Sequence, residues 1–310
     1  MPNVSDELFV ETWQRHRSAA AVRRALGYAD VRSVHTRRRK LEESGYILTT
    51  KSFDLPALIK ALIHVKVKNG VVLVASDAHY WERVTCAHRA FVHCCDDLKP
   101  KIVILNGDVF DGPTVSRFSR LGWIEKPPTV AQELEYCKKR LSEIIEASPG
   151  AKHLWLLGNH DLRFESALAA AAPQYEGVKG MTLKDHFPDW TPAWAAQINK
   201  NTIVKHRWKS GLHAAHNNTK NSGLHMVTSH LHSASVQPWT DLTGTRYGVD
   251  TGMLADIGDG NSVHYTENNP VNWRSGFAVL TYHKKQLLMP ELVQKWDEAH
   301  VQFRGELIEV

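Results

Sequence analysis

Cysteine is scarce in this chain. Cys86, Cys94, Cys95 and Cys137 are the four among 310 residues. They form no C-x-x-C pair, which argues against a zinc knuckle, and so few thiols fit a reducing compartment better than a disulfide scaffold. No apolar run approaches the ~20 residues that a membrane-spanning helix needs, so no membrane partner is expected. The start, Met1-Pro2-Asn3-Val4-Ser5-Asp6, lacks a basic segment followed by an apolar one. No secretory signal is therefore expected, and the expected location is the cytoplasm. Low-complexity stretches are also missing, and 43% hydrophobic with 23% charged residues fits a soluble globular protein. Histidine, by contrast, is abundant at 18 residues. As the commonest metal ligand and the usual acid or base at neutral pH, it raises the expectation of a metal site without placing it.

Charge is uneven. Residues 1–51 hold 10 lysines and arginines against 6 acids, a net of +4, while residues 52–310 hold 28 against 27. A basic head on a near-neutral body suggests that the head meets an anion, with nucleic acid the first candidate. The head reads as helices. Glu7–Arg17 offers Leu8, Val10 and Trp13 to a core; Ser18 can cap Ala19–Leu26, which Gly27 closes; Asp30 or Ser33 can cap a third helix to about Ser44. Residues 46–50 could form a wing strand. This pattern resembles small helix-turn-helix or winged-helix modules, which implies phosphate or base contacts from Arg32, His35, Arg37, Arg38 and Arg39. The alternative is a helical docking or dimerisation cap with a solvated basic face.

From residue 69 the chain alternates strand and helix signals. Val71–Ala75 is a continuous apolar run, as a strand buried on both faces requires, and Ile102–Leu105 and His153–Leu157 are the next strands expected. Helices are predicted over 82–97 and 130–146. Such alternation implies a mostly parallel sheet with packed helices. Residues 162–200 break the rhythm and read as an insertion or lid. Later strands are expected at 202–205, 225–229, 277–282 and 286–292, and their alternation suits a second sheet. The two expected domains are thus residues 1–51 and 69–310.

Polar residues gather where the strands end, the place ligands occupy in open α/β sheets. The first strand ends in Ser76-Asp77-Ala78-His79, the second in Asn106-Gly107-Asp108-Val109-Phe110-Asp111-Gly112, the third in Gly158-Asn159-His160-Asp161. His206 and Ser229-His230-Leu231-His232 follow. These five ordered blocks, D-x-H, G-D-x-x-D, G-N-H-D, a lone His and x-H-x-H, resemble the calcineurin-like metallophosphoesterase superfamily over about residues 71–232. Ser229 stands where the family usually has glycine. Arg207 stands where many members have glycine, and His213 and His216 lie near as alternatives to His206.

The resemblance implies a two-sheet β-sandwich core flanked by helices, in the α/β class, with the small helical module added. It implies that Asp77, His79 and His232 hold one metal ion, that Asn159, His206 and His230 hold a second, and that Asp108 bridges both. Mixed imidazole, carboxylate and amide donors suit Mn²⁺, Fe or Zn²⁺ over Ca²⁺, with Mn²⁺ expected first. Two such cations give a shared hydroxide near neutral pH and neutralise phosphate oxygens for in-line attack. His160 is the implied acid for the leaving group, oriented by Asp111. Asp111 occupies the position of the tyrosine ligand of purple acid phosphatases, which argues against that branch. Asp111-Gly112-Pro113 lacks the arginine of the protein Ser/Thr phosphatases. Arg163 and Arg117 are alternatives for binding phosphate.

The segment Asn268–Phe277 resembles phage and prophage members, in which Trp273 and Arg274 would line the cleft. That setting would place the protein in a bacterial or phage-infected cell. The expected function is phosphodiester hydrolysis, with DNA, another nucleic acid or a nucleotide as substrate and partner. The alternatives are a DNA-binding regulator that uses the fold as a scaffold, or a small-molecule phosphomonoesterase. Oligomeric state is not read from the sequence.

Overall fold

The computed structural model describes residues 4–16, 18–46, 48, 59–117, 127–256, 266 and 269–310. The chain divides into two compact units, residues 1–57 and 58–310.

The first unit contains α1 (Asp6–His16), α2 (Ala19–Leu26) and α3 (Val31–Glu43). Gly27 closes α2 at φ 69°, a left-handed conformation that costs glycine nothing. Asp30 caps α3 by accepting the Ser33 N–H at 2.7 Å. Ser18 precedes α2 without a side-chain capping bond. The core is Phe9, Trp13, Val22, Tyr28, Val34, Leu41 and Leu48. Phe9 rather than Leu8 is therefore the inward residue of α1; Leu8 is exposed. Tyr46 and Leu48 are not in a strand, and the rest of the expected wing lies outside the described residues.

In the second unit, β1 (Ile63–Val65) and β2 (Gly70–Ala75) precede α4 (Cys86–Leu98), β3 (Ile102–Leu105), α5 (Val130–Ala147) and β4 (Lys152–Leu156). Next come α6 (Leu162–Ala171), α7 (Leu183–His186), β5 (Thr191–Ala193), β6 (Ala196–Ile198), β7 (Thr202–Val204), α8 (Ala214–Ser222) and β8 (His225–Thr228). The chain ends through β9 (Ser235–Asp241), β10 (Gly244–Asp250), β11 (Gly276–His283), β12 (Gln286–Leu287), β13 (Glu291–Lys295), β14 (His300–Phe303) and β15 (Glu306–Glu309). Among the described residues the strands form two sheets. One runs β15-β14-β13-β11-β2-β3-β4-β5, with β12 beside β11; the other runs β1-β6-β7-β8-β10-β9. β2 through β5 are mutually parallel, and β11 pairs antiparallel with β2.

The sheets face each other across Val72, Val74, Ile104, Leu154, Leu156, Val204, Val227, Val249 and Leu280. The outer face of the first sheet carries α4 and α5 over Phe91, Cys95, Leu141, Ile144 and Phe277. This is the expected two-sheet α/β class. Three boundaries differ from the sequence reading. α4 begins at Cys86 instead of 82, because Thr85 caps it by accepting the His88 N–H at 3.1 Å. The strand expected over 286–292 is two strands, with Pro290, which has no N–H for a ladder, between them. Residues 162–200 are not wholly an inserted lid: β5 extends the first sheet and β6 the second.

A candidate metal centre at the strand ends

The polar loops after β2, β3, β4, β7 and β8 converge at one end of the sandwich. Their backbones are unusual. Asp77 (φ 49°), His79 (42°), Asp108 (53°), His230 (74°) and His232 (59°) all take positive φ without being glycine. Each such residue costs on the order of 1 kcal/mol and persists only where its surroundings fix it, which is a property of functional sites. Packing is tight enough to demand glycine between them. A Cβ on Gly107 would sit 2.4 Å from His206 Nδ1, and one on Gly158 would sit 2.1 Å from Asp108 Oδ1.

Two groups of donors result. Asp77, His79 and His232 present ligand atoms within 4.8 Å of one another, and so do Asp108, His206 and His230. Asp77 Oδ1 accepts from His232 Nε2 at 3.0 Å, and its Oδ2 accepts the His230 N–H at 3.1 Å. Burial opposes ionisation of Asp77, yet the charges of His232, His206 and His79 hold its pKa well below the usual carboxylate range. Asp108 Oδ1 accepts the His160 N–H at 2.8 Å, while Oδ2 lies 3.1 Å from His206 Nε2. His206 Nδ1 donates to the Asn106 carbonyl at 2.7 Å, which aims Nε2 at the centre of the site. The exposed Arg207 leaves this geometry undisturbed, and the alternatives drop out: His213 is exposed, and His216 packs against Trp239.

Among the buried side-chain atoms left without a hydrogen-bond partner, Asn159 Oδ1 and His232 Nδ1 lie at this site, and His206 Nε2 meets only the Asp108 carboxylate, at 3.1 Å. Buried polar atoms normally find partners, so donors left open beside two buried carboxylates are candidate ligand positions. A divalent cation satisfies such a donor set, and the residues present fit it.

Beside the two groups lies a third, Asp111, His160 and His79. Asp111 Oδ1 receives His160 Nδ1 at 2.6 Å and His79 Nδ1 at 3.0 Å, so one carboxylate orients both rings and leaves both Nε2 atoms facing inward. Burial opposes its ionisation, but the two imidazoles keep its pKa far below normal. Burial would lower the pKa of His79, yet Asp111, Asp108 and Asp77 raise it to about 9 in the metal-free chain. Arg163 donates to the Asp111 carbonyl at 2.8 Å and to His160 Nε2 at 3.0 Å, so it belongs to the site. Trp273 stands edge-on to His232, 4.8 Å between centroids, and the Arg274 N–H donates to the His232 carbonyl at 2.7 Å. The Arg274 side chain is exposed, and Arg117 follows the short turn Pro113–Val115.

Two supporting residues escaped the sequence reading. Asp161 is the last residue of the G-N-H-D block, and the motif alone does not disclose what it does. Its Oδ1 accepts the Val109 and Phe110 N–H groups at 3.0 and 3.1 Å. Its Oδ2 accepts Asp108 N–H at 2.9 Å, Gly158 N–H at 2.8 Å and Trp155 Nε1 at 3.1 Å. Glu133 on α5 is fully buried and accepts the Asp111 and Gly112 N–H groups at 2.5 and 2.8 Å. Burial, reinforced by the Asp111 charge, raises its pKa to about 7. Nothing in sequence spacing marks a helical glutamate 22 residues from the carboxylate it supports.

In the head, Arg37 is committed elsewhere. It bonds Asp6 at 2.7 Å, Tyr28 Oη at 3.1 Å and the Val4 carbonyl, tying α3 to the start of α1. Arg38 bonds Glu42 at 2.8 Å and lies over the Trp13 ring. Arg32, His35 and Arg39 are exposed.

A family model described as calcineurin-like phosphoesterase matches residues 70–266. The Gene 54 protein of Mycobacterium phage L5 is 26% identical over 228 residues, spanning 66% of this chain and 86% of that one. Among solved structures, Vps29 from Entamoeba histolytica complexed with Zn²⁺ is 12% identical with a TM-score of 0.42, covering 77% of this chain and 98% of its own. A novel archaeal phosphodiesterase is 15% identical with a TM-score of 0.38, covering 73% and 99%. The family and the phage relative agree with the resemblance carried by the five motif blocks. Among the described residues, no helix is long and apolar enough to cross a membrane.

Proposed function

The chain belongs to the calcineurin-like phosphoesterase family, and on that premise we propose that it hydrolyses phosphodiester bonds with two divalent metal ions, acting on a nucleic-acid strand or a nucleotide. The observation that carries this reading is the convergence of two donor groups, Asp77 with His79 and His232 and Asp108 with His206 and His230, with Asn159 Oδ1 and His232 Nδ1 left without hydrogen-bond partners beside them. Asp77, His79 and His232 would hold one ion, Asn159, His206 and His230 the other, with Asp108 shared. Mn²⁺ is the first choice, with Fe or Zn²⁺ suited to the same donors. Such a pair supplies water activation and neutralisation of phosphate charge.

The remaining chemistry falls to this chain's side chains. His160 is the proton donor to the leaving oxygen, and Asp111 on Nδ1 fixes its tautomer and ring orientation. To donate, Nε2 must carry a proton in place of the bond from Arg163. Breaking that bond frees the guanidinium for a phosphate oxygen. Trp273 beside His232 forms one wall of the cleft. A substrate panel with added Mn²⁺ tests the proposal: bis(p-nitrophenyl) phosphate, single-stranded DNA, duplex DNA, cyclic nucleotides and a phosphomonoester. Diester hydrolysis that disappears, with bound metal, in Asp108→Ala and His230→Ala is expected. His160→Ala should keep its metal and lose rate, most for poor leaving groups. A metal-loaded protein that cleaves no diester, or prefers the monoester, refutes the reading.

For the head, the exposed Arg32, His35 and Arg39 are the residues offered to a phosphate backbone. Arg32→Ala with Arg39→Ala should weaken duplex binding and flatten its salt dependence. Unchanged affinity in anisotropy titrations excludes the head as a DNA tether.

A further inference from the structure

Between Asp189 and Asp241 run 51 residues without a single aspartate or glutamate. The same stretch holds Lys200, Lys205, Arg207, Lys209 and Lys220, together with six histidines. The body as a whole is near neutral, so this segment is where its positive charge stands unopposed in sequence. It is also the segment that supplies β7, the loop after His206, α8 and β9.

The loop after His206 has a particular build. Arg207, Trp208 and Lys209 are all exposed, with Trp208 43% exposed despite its large apolar ring. Lys209 Nζ lies 5.3 Å from the centroid of that ring. The loop is fixed from behind: Asn218, buried on α8, accepts the Lys209 N–H and donates to the Lys209 carbonyl, both at 3.2 Å. α8 itself lies close on β10, where a Cβ on Gly248 would fall 2.0 Å from the Ala215 carbonyl oxygen. Further along, Lys220 sits over the Trp239 ring at 5.0 Å. An exposed aromatic ring under the Lys209 ammonium, on an anchored loop that begins next to a candidate metal ligand, needs a reason to tolerate water.

We propose that Arg207, Trp208 and Lys209, continued by Lys220 and Trp239, form a binding strip for a single, unpaired nucleic-acid strand entering the site. Trp208 stacks on a base, and the cations follow the phosphates. A flat ring among cations suits an unpaired strand, because every base offers a face for stacking, whereas in a duplex the bases are already stacked. The strip deepens the phosphodiesterase reading and rests on it for its direction toward the site.

The test uses the full chain carrying Arg32→Ala and Arg39→Ala, so that the head does not mask the strip, with the metal removed by chelator. Fluorescence anisotropy with an oligothymidylate reads affinity, and tryptophan quenching reads stacking. Trp208→Ala should weaken binding about tenfold and remove most of the quenching. Lys209→Ala with Lys220→Ala should lower the slope of log affinity against log salt by about 1.4, two phosphates at ~0.7 each. The same substitutions should leave hydrolysis of bis(p-nitrophenyl) phosphate unchanged in the metal-loaded protein. Affinity within twofold of the parent in both variants overturns the strip, and so does an equal loss for duplex DNA. If the parent fails on bis(p-nitrophenyl) phosphate while the binding losses hold, the catalytic reading fails and the strip stands.

Discussion

Asp161→Asn is nearly isosteric, yet it should be among the most damaging single changes in the second unit. Three donors converge on Oδ2 and two on Oδ1. An amide offers one acceptor oxygen and one NH₂ group. Either orientation sets that NH₂ against two or three N–H groups with no water to rescue them. Bonds to a charged acceptor contribute ~1.5–3 kcal/mol each, so losing two costs about 3–6 kcal/mol. That is a large share of the ~5–15 kcal/mol that holds a typical domain together. Urea unfolding of the metal-free protein measures the global loss. Hydrogen exchange at the Asp108, Val109 and Phe110 amides, which should quicken, measures the local one. Trp155→Phe removes a single donor and should cost only about 1–2 kcal/mol, a bond and a small void. If Asp161→Asn lies within 1 kcal/mol of the parent with those amides still protected, the clamp assigned to Asp161 is wrong.

Glu133→Gln keeps an acceptor for the Asp111 and Gly112 amides and should retain most activity. Glu133→Leu strands both at ~1–3 kcal/mol each, and kcat on a small diester should fall while Arg163→Gln acts mainly on KM; equal kcat in the Gln and Leu variants would count against a positioning role. Gly158→Ala should abolish metal binding, read by elemental analysis, because its methyl falls on Asp108 Oδ1. The pH dependence of stability should carry the mark of His88 and His225, whose burial depresses both pKa values to about 4. Each is neutral when folded and binds a proton near pH 6.5 when unfolded. Their stabilisation is complete above pH 6.5 and is lost as pH falls toward 4, by about 2 kcal/mol per histidine at pH 5. Because His79 and Glu133, raised to about 9 and about 7, gain stability over the same fall in pH, the loss is read by comparing urea midpoints at pH 7 and 5 between the parent and His88→Gln with His225→Gln; an equal pH dependence in the two proteins contradicts it.

What the sequence disclosed follows from where information is local. β2, β3 and β4 are sealed on both faces, so each is a plain apolar run, and the site residues fall at their carboxyl ends. α5 was legible for its length, while the Thr129 cap that starts it, accepting the Gln132 N–H at 3.3 Å, is a feature of the structure. β9 and β10 were not: β9 is the edge strand and β10 its neighbour, and their threonine, glycine, proline and glutamine leave little apolar signal. β5 and β6 are three residues each, too short for a period. The choice between Leu8 and Phe9 turned on one residue of helical phase. Arg37 shows the limit in the other direction, since its charge suggested a nucleic-acid contact while its partners, Asp6 and Tyr28, lie 31 and 9 residues away.

The donors at the centre do not share a foundation. Asp77, Asp108 and Asn159 hang from the first sheet, and His206, His230 and His232 from the second. Hydrogen bonds tie one set to the other, from the His230 N–H to Asp77 Oδ2, from His206 Nδ1 to the Asn106 carbonyl and from Asn106 Nδ2 to the Lys205 carbonyl, and behind them lies the apolar seam where Val74, Ile104, Val204 and Val227 interlock. Slippage of one leaf over the other by an ångström would have to break these bonds as well as disturb the seam. The vernier of this protein is shared between its hydrocarbon interior and the polar ties at its rim.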